Sequence, residues 1–248
     1  MSTCTNRVAL VTGAGGDGIG RSIALTLARE GAAVIVNFHT DAQKADAVVA
    51  HIHSRGGQAI AIKADVTNPD DVASLVEAAR ERFGQVDILV NSAGGGWAIA
   101  DYADVPLERW KQVLAGEIDP ALLLLSQLVP AMRQAKWGRV VNIGMAGASE
   151  LTSLKGLAPD YCMGKAARAW LTHATARGEH KHGITVNCVC PGHTPAYETF
   201  EQAIEHCDRG PAWQARKGVC PQDTAESVAF LCSDAARFVT GTEITFSG

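Results

Sequence analysis

The chain has 248 residues, 47% of them hydrophobic, 25 glycines and a formal net charge of −4. That length holds one large or two small domains with a sizeable core, and the slightly acidic balance leaves no footprint for a nucleic acid. No stretch joins the length and unbroken apolarity of a membrane span, no apolar run being longer than Ala121 to Leu125, and the opening MSTCTNR lacks the apolar heart of an export signal.

Val8 to Val11 is a short apolar run of the kind buried on both faces of a parallel sheet. Glycines then crowd at positions 13, 15, 16, 18 and 20. From Ile19 the apolar residues recur at helical spacing until Gly31, and Ala33 to Val36 is a second strand. Strand, glycine turn, helix and strand form a βαβ unit whose turn brings backbone N–H groups at a helix start to a pyrophosphate. A helix over 41–55, a strand over 58–62, a helix from Pro69 to Phe83 and a strand over 86–90 follow. Asn68 and Pro69, with Asp70 and Asp71, mark the start of that second helix. Two helical segments, 106–115 and 121–134, are predicted on either side of a break at Gly116 to Pro120, because proline disrupts a helix interior. Strands over 138–143 and 185–189 enclose a helix from Tyr161 to Glu179. An irregular segment then runs to Pro221, before a helix over 227–232 and a strand over 243–246. The alternation predicts an α/β fold, a single Rossmann-type doubly wound parallel sheet flanked by helices on both faces, in one domain over 1–248.

Tyr161 and Lys165 stand one helical turn apart on one face. A nearby ammonium favours phenolate, so Tyr161 is expected to exchange a proton near neutral pH, well below its free value of about 10. Lys165 is placed to reach a cofactor ribose as well. Seven cysteines without paired or zinc-type spacing read as reduced thiols of a cytoplasmic protein. Cys188 and Cys190 are expected on alternate faces of a strand, and His180-Lys181-His182 reads as solvated charge, so no metal site is expected.

Taken together, Thr12-Gly13, Gly18-Ile19-Gly20, Asp65-Val66, Asn91-Ser92-Ala93-Gly94, Tyr161/Lys165 and Asn187 to Gly192 resemble the short-chain dehydrogenase/reductase family over essentially the whole chain. The pattern is nearest to its 3-oxoacyl-carrier-protein reductase-like members. The resemblance implies a nicotinamide cofactor, held by Gly13, Gly18, Ile19 and Gly20. It puts Asp65 and Val66 at the adenine, Asn91, Ala93 and Gly94 along the cofactor, and Pro191 and Gly192 beside the nicotinamide. Three departures stand out. Four residues separate Gly13 from Gly18 where the family has three, with Asp17 among them, and Gly15 and Gly16 are expected to absorb the extra residue. Met145 occupies the place of the family's catalytic serine, ahead of a loop where Ser149 and Ser153 lie. Glu117 occupies the place of its water-holding asparagine, as a catalytic group or as part of a solvated helix break.

Phe38 and His39 end the second strand where NAD-dependent relatives place an acid, so NADP(H) is favoured over NAD(H), with Lys44 nearby and Asp17 opposing. The expected activity is a cytoplasmic oxidoreductase interconverting a carbonyl and an alcohol on a small apolar or acyl substrate. Tyr161 and Lys165 are its catalytic residues, beneath a lid at about 193–220. The alternatives are an isomerase, lyase or cyclase on the same fold, or a catalytically degenerate subunit. Apolar helices around Leu122 to Val129 and Ala166 to Leu171 predict a homotetramer or dimer, with no nucleic-acid or membrane partner.

Overall fold

The computed structural model describes residues 3–94, 96, 98–148 and 159–246. Its strands are β1 (Val8–Val11), β2 (Ala33–Phe38), β3 (Ala59–Lys63), β4 (Ile88–Asn91), β5 (Gly138–Ile143), β6 (Ile184–Cys190) and β7 (Glu243–Thr245). Between them run α1 (Ile19–Arg29), α2 (Ala42–Ser54), α3 (Pro69–Phe83), α4 (Leu107–Ala135), α5 (Pro159–Glu179), α6 (Phe200–Cys207), α7 (Pro211–Ala215) and α8 (Pro221–Cys232). All seven strands pair in parallel in the order β3-β2-β1-β4-β5-β6-β7. The order reverses between β1 and β4, which opens a crevice at their carboxyl ends.

The apolar runs are unbroken because each strand is covered on both sides. Val11, Val34, Val36, Val90 and Val141 pack with Ile23 and Leu27 of α1 and Val228 and Leu231 of α8. Their neighbours Leu10, Ile35, Leu89 and Val140 face the other way, onto Leu75 of α3 and Leu124, Leu128 and Met132 of α4. Local signals hold where they were strongest. Asn68 accepts from the backbone of Asp70 and Asp71 at the start of α3, and Gly84 ends that helix at φ +80°.

Four expectations need correction. The break at residues 116–120 does not form: α4 is one helix of 29 residues with Pro120 and Pro130 inside it. Pro120 leaves the Gly116 carbonyl without its helical donor, yet the helix continues, with Gly116, Glu117, Pro120 and Ala121 buried against the rest of the chain. By length and hydropathy alone this helix could cross a membrane, yet half of its most apolar window is buried within the protein. The stretch up to Pro221 is not irregular, since it folds α6 under a Thr199/Gln202 capping box and adds α7; α8 begins at Pro221, ahead of residue 227. Cys188 and Cys190 share one face of β6, as residues two apart on a strand must, with their sulfurs 3.5 Å apart. Finally, most apolar residues of the proposed interface segments serve the subunit's own core. Leu124, Leu125, Leu128, Val129 and Ala169 are buried, whereas Leu122 and Trp170 stay 57% and 70% exposed.

One charged knot joins the first and last thirds of the chain. Glu226 of α8 accepts paired bonds from Arg29 of α1 at 2.9 and 3.0 Å, from Arg209 at 3.2 and 2.7 Å, and one from Gln222 at 2.9 Å. Burial raises the carboxyl, but those donors outweigh it and hold Glu226 down to about 2, against an ordinary 4.5. A folded value below the unfolded one gives stability that is present above pH 4.5 and lost as pH falls toward 2. Glu226→Gln is expected to lower the unfolding free energy by about 1.5–3 kcal/mol at neutral pH and to flatten its acid dependence. Urea melts across that pH window check this; a variant that keeps the wild-type acid slope contradicts it.

Candidate active site

Two recesses meet along the crevice and share Gly13, Ser92 and Gly94. The first, about 520 Å³, is lined by Gly18, Ile19, Gly20, Glu117, Gly144, Met145, Tyr161, Lys165, Pro191 and Gly192, among others. The second, beyond the glycine turn, is lined by His39, Asp41, Lys44, Asp65, Val66, Ala93 and their neighbours. Every residue expected at the cofactor thus lines one recess or the other, with the exception of Asn91. Asn91 is buried, and its amide donates to Asn142 Oδ1 at 2.8 Å. Asn142 in turn donates to Thr172 Oγ1 at 2.9 Å, and this polar chain ties β4, β5 and α5 together. Ser149 and Ser153 lie outside the described residues.

The glycine turn is built for an anion. Gly13 sits at φ +65°, and a Cβ at Gly20 would come within 2.5 Å of the Gly13 carbonyl, so turn and helix touch backbone to backbone. Gly15, one of the two glycines expected to take up the extra residue, lies so close to Phe38 that a Cβ there would stand 2.8 Å from the Phe38 Cβ. No side chain caps the first turn of α1, and a Cβ at Gly18 would meet no protein atom within 4 Å. Bare helix N–H groups facing an open recess fit a pyrophosphate. Asp17 does not oppose this: its carboxylate is paired with Arg21 at 2.8 Å and with Lys44, and Lys44 first, then Arg21, hold it below its usual range. Asn37 secures the turn, accepting from Gly13 N at 3.3 Å while donating to the carbonyls of Ile62 and Ala64. At the far end His39 lies 3.9 Å from Asp65, and Asp41 shares the recess, so carboxylates as well as cations surround the second strand's end.

At the other end a buried charge cluster stands behind Tyr161. Glu117 has no exposed surface, and its Oε2 lies 3.0 Å from Lys165 Nζ and 3.1 Å from Arg168 Nη2. Lys165 also donates to the Ile143 carbonyl at 3.2 Å, and its ammonium sits 5.2 Å from the Tyr161 ring centre. Two glycines make room for the carboxylate. A Cβ at Gly94 would stand 2.5 Å from Glu117 Oε1, and one at Gly164 would stand 2.6 Å from Glu117 Cβ. The reading of Glu117 as part of a solvated break is therefore wrong.

The cluster also reverses the expectation for the phenol. Burial first and the negative charge of Glu117 second push Tyr161 up to about 12, with Arg168 pulling the other way. Burial and Arg168 pull Lys165 down to about 8 against the attraction of Glu117. Tyr161 is thus a phenol that holds its proton at neutral pH, more tightly than a free phenol does. Arg168 and Asp160 escaped the sequence reading. An arginine three residues after Lys165, among alanines, is the one visible hint of Arg168. Asp160, fully buried, accepts from the Tyr161 N–H at 2.9 Å and from Arg109 at 3.0 Å, and so anchors the start of α5 to α4.

The described hydroxyls lining the first recess are those of Ser92, Tyr161 and Thr194, and Thr194 is engaged with the Gly192 carbonyl at 3.1 Å. Met145 supplies a thioether, which cannot donate. The segment after β6 is stitched to the glycine turn by Tyr197 N, which donates to the Asp17 carbonyl at 3.0 Å.

Comparison with known proteins covers the whole chain. The profile of the family described as Enoyl-(Acyl carrier protein) reductase matches residues 13–248. A 3-oxoacyl-(acyl-carrier-protein) reductase of Synechocystis sp. is 34% identical over 260 residues, covering 100% of this chain and 98% of its own. A cyclohexanol dehydrogenase of an Acinetobacter species is 35% identical over 246 residues, covering 98% and 94%. The crystal structure of a dehydrogenase/reductase from Sinorhizobium meliloti 1021 superposes with a TM-score of 0.82 at 33% identity, covering 98% of this chain and 94% of the other.

The geometry of Gly18 yields a direct check. Gly18→Val should fold and melt as the wild type does, because its side chain meets open space. It should nevertheless lose nicotinamide dinucleotide binding by about 100-fold or more, having filled the cradle at the helix start. Fluorescence titration measures this; unchanged affinity in the folded variant removes the cofactor assignment.

Proposed function

The chain belongs to the short-chain dehydrogenase/reductase family and is a nicotinamide-dependent oxidoreductase, and from that premise we propose that it interconverts a carbonyl and an alcohol on a small apolar or acyl substrate, with NADP(H) as cofactor. The bound nicotinamide supplies the hydride. The observation that carries the rest is Tyr161 lining the recess that the glycine turn opens, with Lys165 behind it. In the reducing direction Tyr161 gives its proton to the carbonyl oxygen, and the ammonium of Lys165 offsets the phenolate that forms. Gly13, Gly18, Ile19 and Gly20 would hold the pyrophosphate, Gly94, Pro191 and Gly192 would receive the nicotinamide, and Asp65, Val66 and Ala93 the adenine.

Support for the substrate class comes from the apolar character of Met145, Ala146, Pro191 and Ala196 around the site, and from relatives named for an acyl and an alicyclic substrate. The lid is the stretch 193–220, whose His193, Thr194 and Ala196 face the recess. The NADP(H) preference rests on Phe38 and His39 at the end of β2 and on Lys44 across the recess. The proposed assembly is a homotetramer or dimer in the cytoplasm, supported by Leu122 and Trp170, left open to solvent on α4 and α5.

Steady-state oxidation of NADPH or NADH with a panel of ketones and acyl thioesters tests this reading. Tyr161→Phe should lower kcat about 10²- to 10⁴-fold with cofactor affinity little changed. Wild-type reduction should be flat through neutral pH and fall above about 8, as Lys165 gives up the proton that offsets the phenolate. Met145→Ser, which adds a donor toward the carbonyl, should raise the rate on simple ketones. Wild-type turnover in Tyr161→Phe contradicts the mechanism, and a preference for NADH contradicts the cofactor choice.

A further inference from the structure

Arg168 is fully buried and holds four carbonyls. Its guanidinium donates twice to Glu117 O, at 3.2 Å each to Asn91 O and Ile143 O, and at 2.9 Å to Ala93 O. One side chain thereby fastens α5 to the carboxyl end of β4 and the loop after it, to the end of β5, and to the middle of α4. Lys165, one turn earlier, grips the same Ile143 carbonyl and the same Glu117 carboxylate. Two buried cations this close repel each other, and the carboxylate between them is what lets both stay.

We propose that Glu117 and Arg168 act as one positioning unit that fixes Lys165 Nζ behind Tyr161, so that neither can be changed alone without misplacing Lys165. The inference rests on the reading of Tyr161 as proton donor and Lys165 as its partner. If Glu117 is lost, Lys165 faces Arg168 without an anion between them. If Arg168 is lost, Lys165 and Glu117 are drawn onto each other, away from the phenol, and the crevice walls lose their common tie. The groups that face Lys165 are Glu117 from α4, Tyr161 and Arg168 from its own helix, the Ile143 carbonyl from β5 and Cys188 from β6. Within that set, removing Glu117 takes away attraction and removing Arg168 takes away repulsion.

The test is a double-mutant cycle in the full chain with Glu117→Gln, Arg168→Met and both together, plus Arg168→Lys. Two readouts are followed: the NMR titration of Lys165 in ¹³C-lysine-labelled protein, assigned with Lys165→Arg, and kcat and KM for NADPH-coupled ketone reduction. Glu117→Gln should move the Lys165 titration about one pH unit down and Arg168→Met about one unit up, with the pair returning close to the wild type. Each single change should lower kcat at least about tenfold with little effect on the KM for the ketone, and the double variant should lose less than the product of the two. Arg168→Lys, which keeps the charge, should hold the titration near its wild-type position. Singles that leave the titration in place, or effects that multiply independently, overturn the proposal and leave Arg168 as a structural clamp. Should a single variant fail to fold, a folded double variant supports the unit and an unfolded one overturns it. The NMR arm needs neither cofactor nor turnover. A wild type without activity on any carbonyl therefore refutes the functional reading, while the titrations still judge the cluster.

Discussion

A carboxylate with no exposed surface must be paired or it costs several kilocalories per mole, and the site is arranged around that constraint. Glu117 is buried at the middle of the longest helix, and two cations from the neighbouring helix meet it there. Those cations are tied to carbonyls at the ends of β4 and β5, the strands that wall the crevice. Glycines at 94 and 164 leave the space that the carboxylate occupies. Helix and sheet are thus joined here by charge pairing and carbonyl bonds in addition to apolar packing.

The same cluster sets the chemistry. A buried phenol near a carboxylate keeps its proton, and a buried ammonium near a guanidinium holds its own less tightly than usual. Proton affinities that ordinarily lie close together are moved apart, the Tyr161 phenol holding its proton more tightly than usual and the Lys165 ammonium less tightly. At the far end of the crevice charge is managed differently. Asp17, in the glycine turn, is already paired with Arg21 and Lys44. The helix start behind it remains free to meet an anion.

The sheet was legible because its strands are buried on both faces, which leaves near-continuous apolar runs separated by helical periodicity. Val8 to Val11, Gly138 to Ile143 and the Asn68-capped helix emerge close to their observed bounds for this reason. The α4 helix was not legible. Pro120 is a local argument for a break, yet the helix runs through it with Gly116, Glu117, Pro120 and Ala121 buried against the rest of the chain, a tertiary setting that no window of sequence can show. The Cys188–Cys190 error was of another kind, since the strand's period of two already puts both sulfurs on one face. Tyr161, Lys165 and the glycines were readable as a pattern. The direction of the Tyr161 shift was not, because it depends on burial and on a carboxylate from a different helix.

The central claim is that this crevice moves hydride and proton together, with Tyr161 as the acid although Met145 stands where a hydroxyl donor is expected. Reduction of a ketone with NADPH carrying deuterium at both positions of the reactive nicotinamide carbon, followed by mass spectrometry of the alcohol, tests it most directly. The account predicts one deuterium at the carbinol carbon in the wild type, and a loss of labelled alcohol in Tyr161→Phe that tracks its loss of turnover. Unlabelled alcohol, or labelled alcohol formed as fast without the Tyr161 hydroxyl, would contradict it.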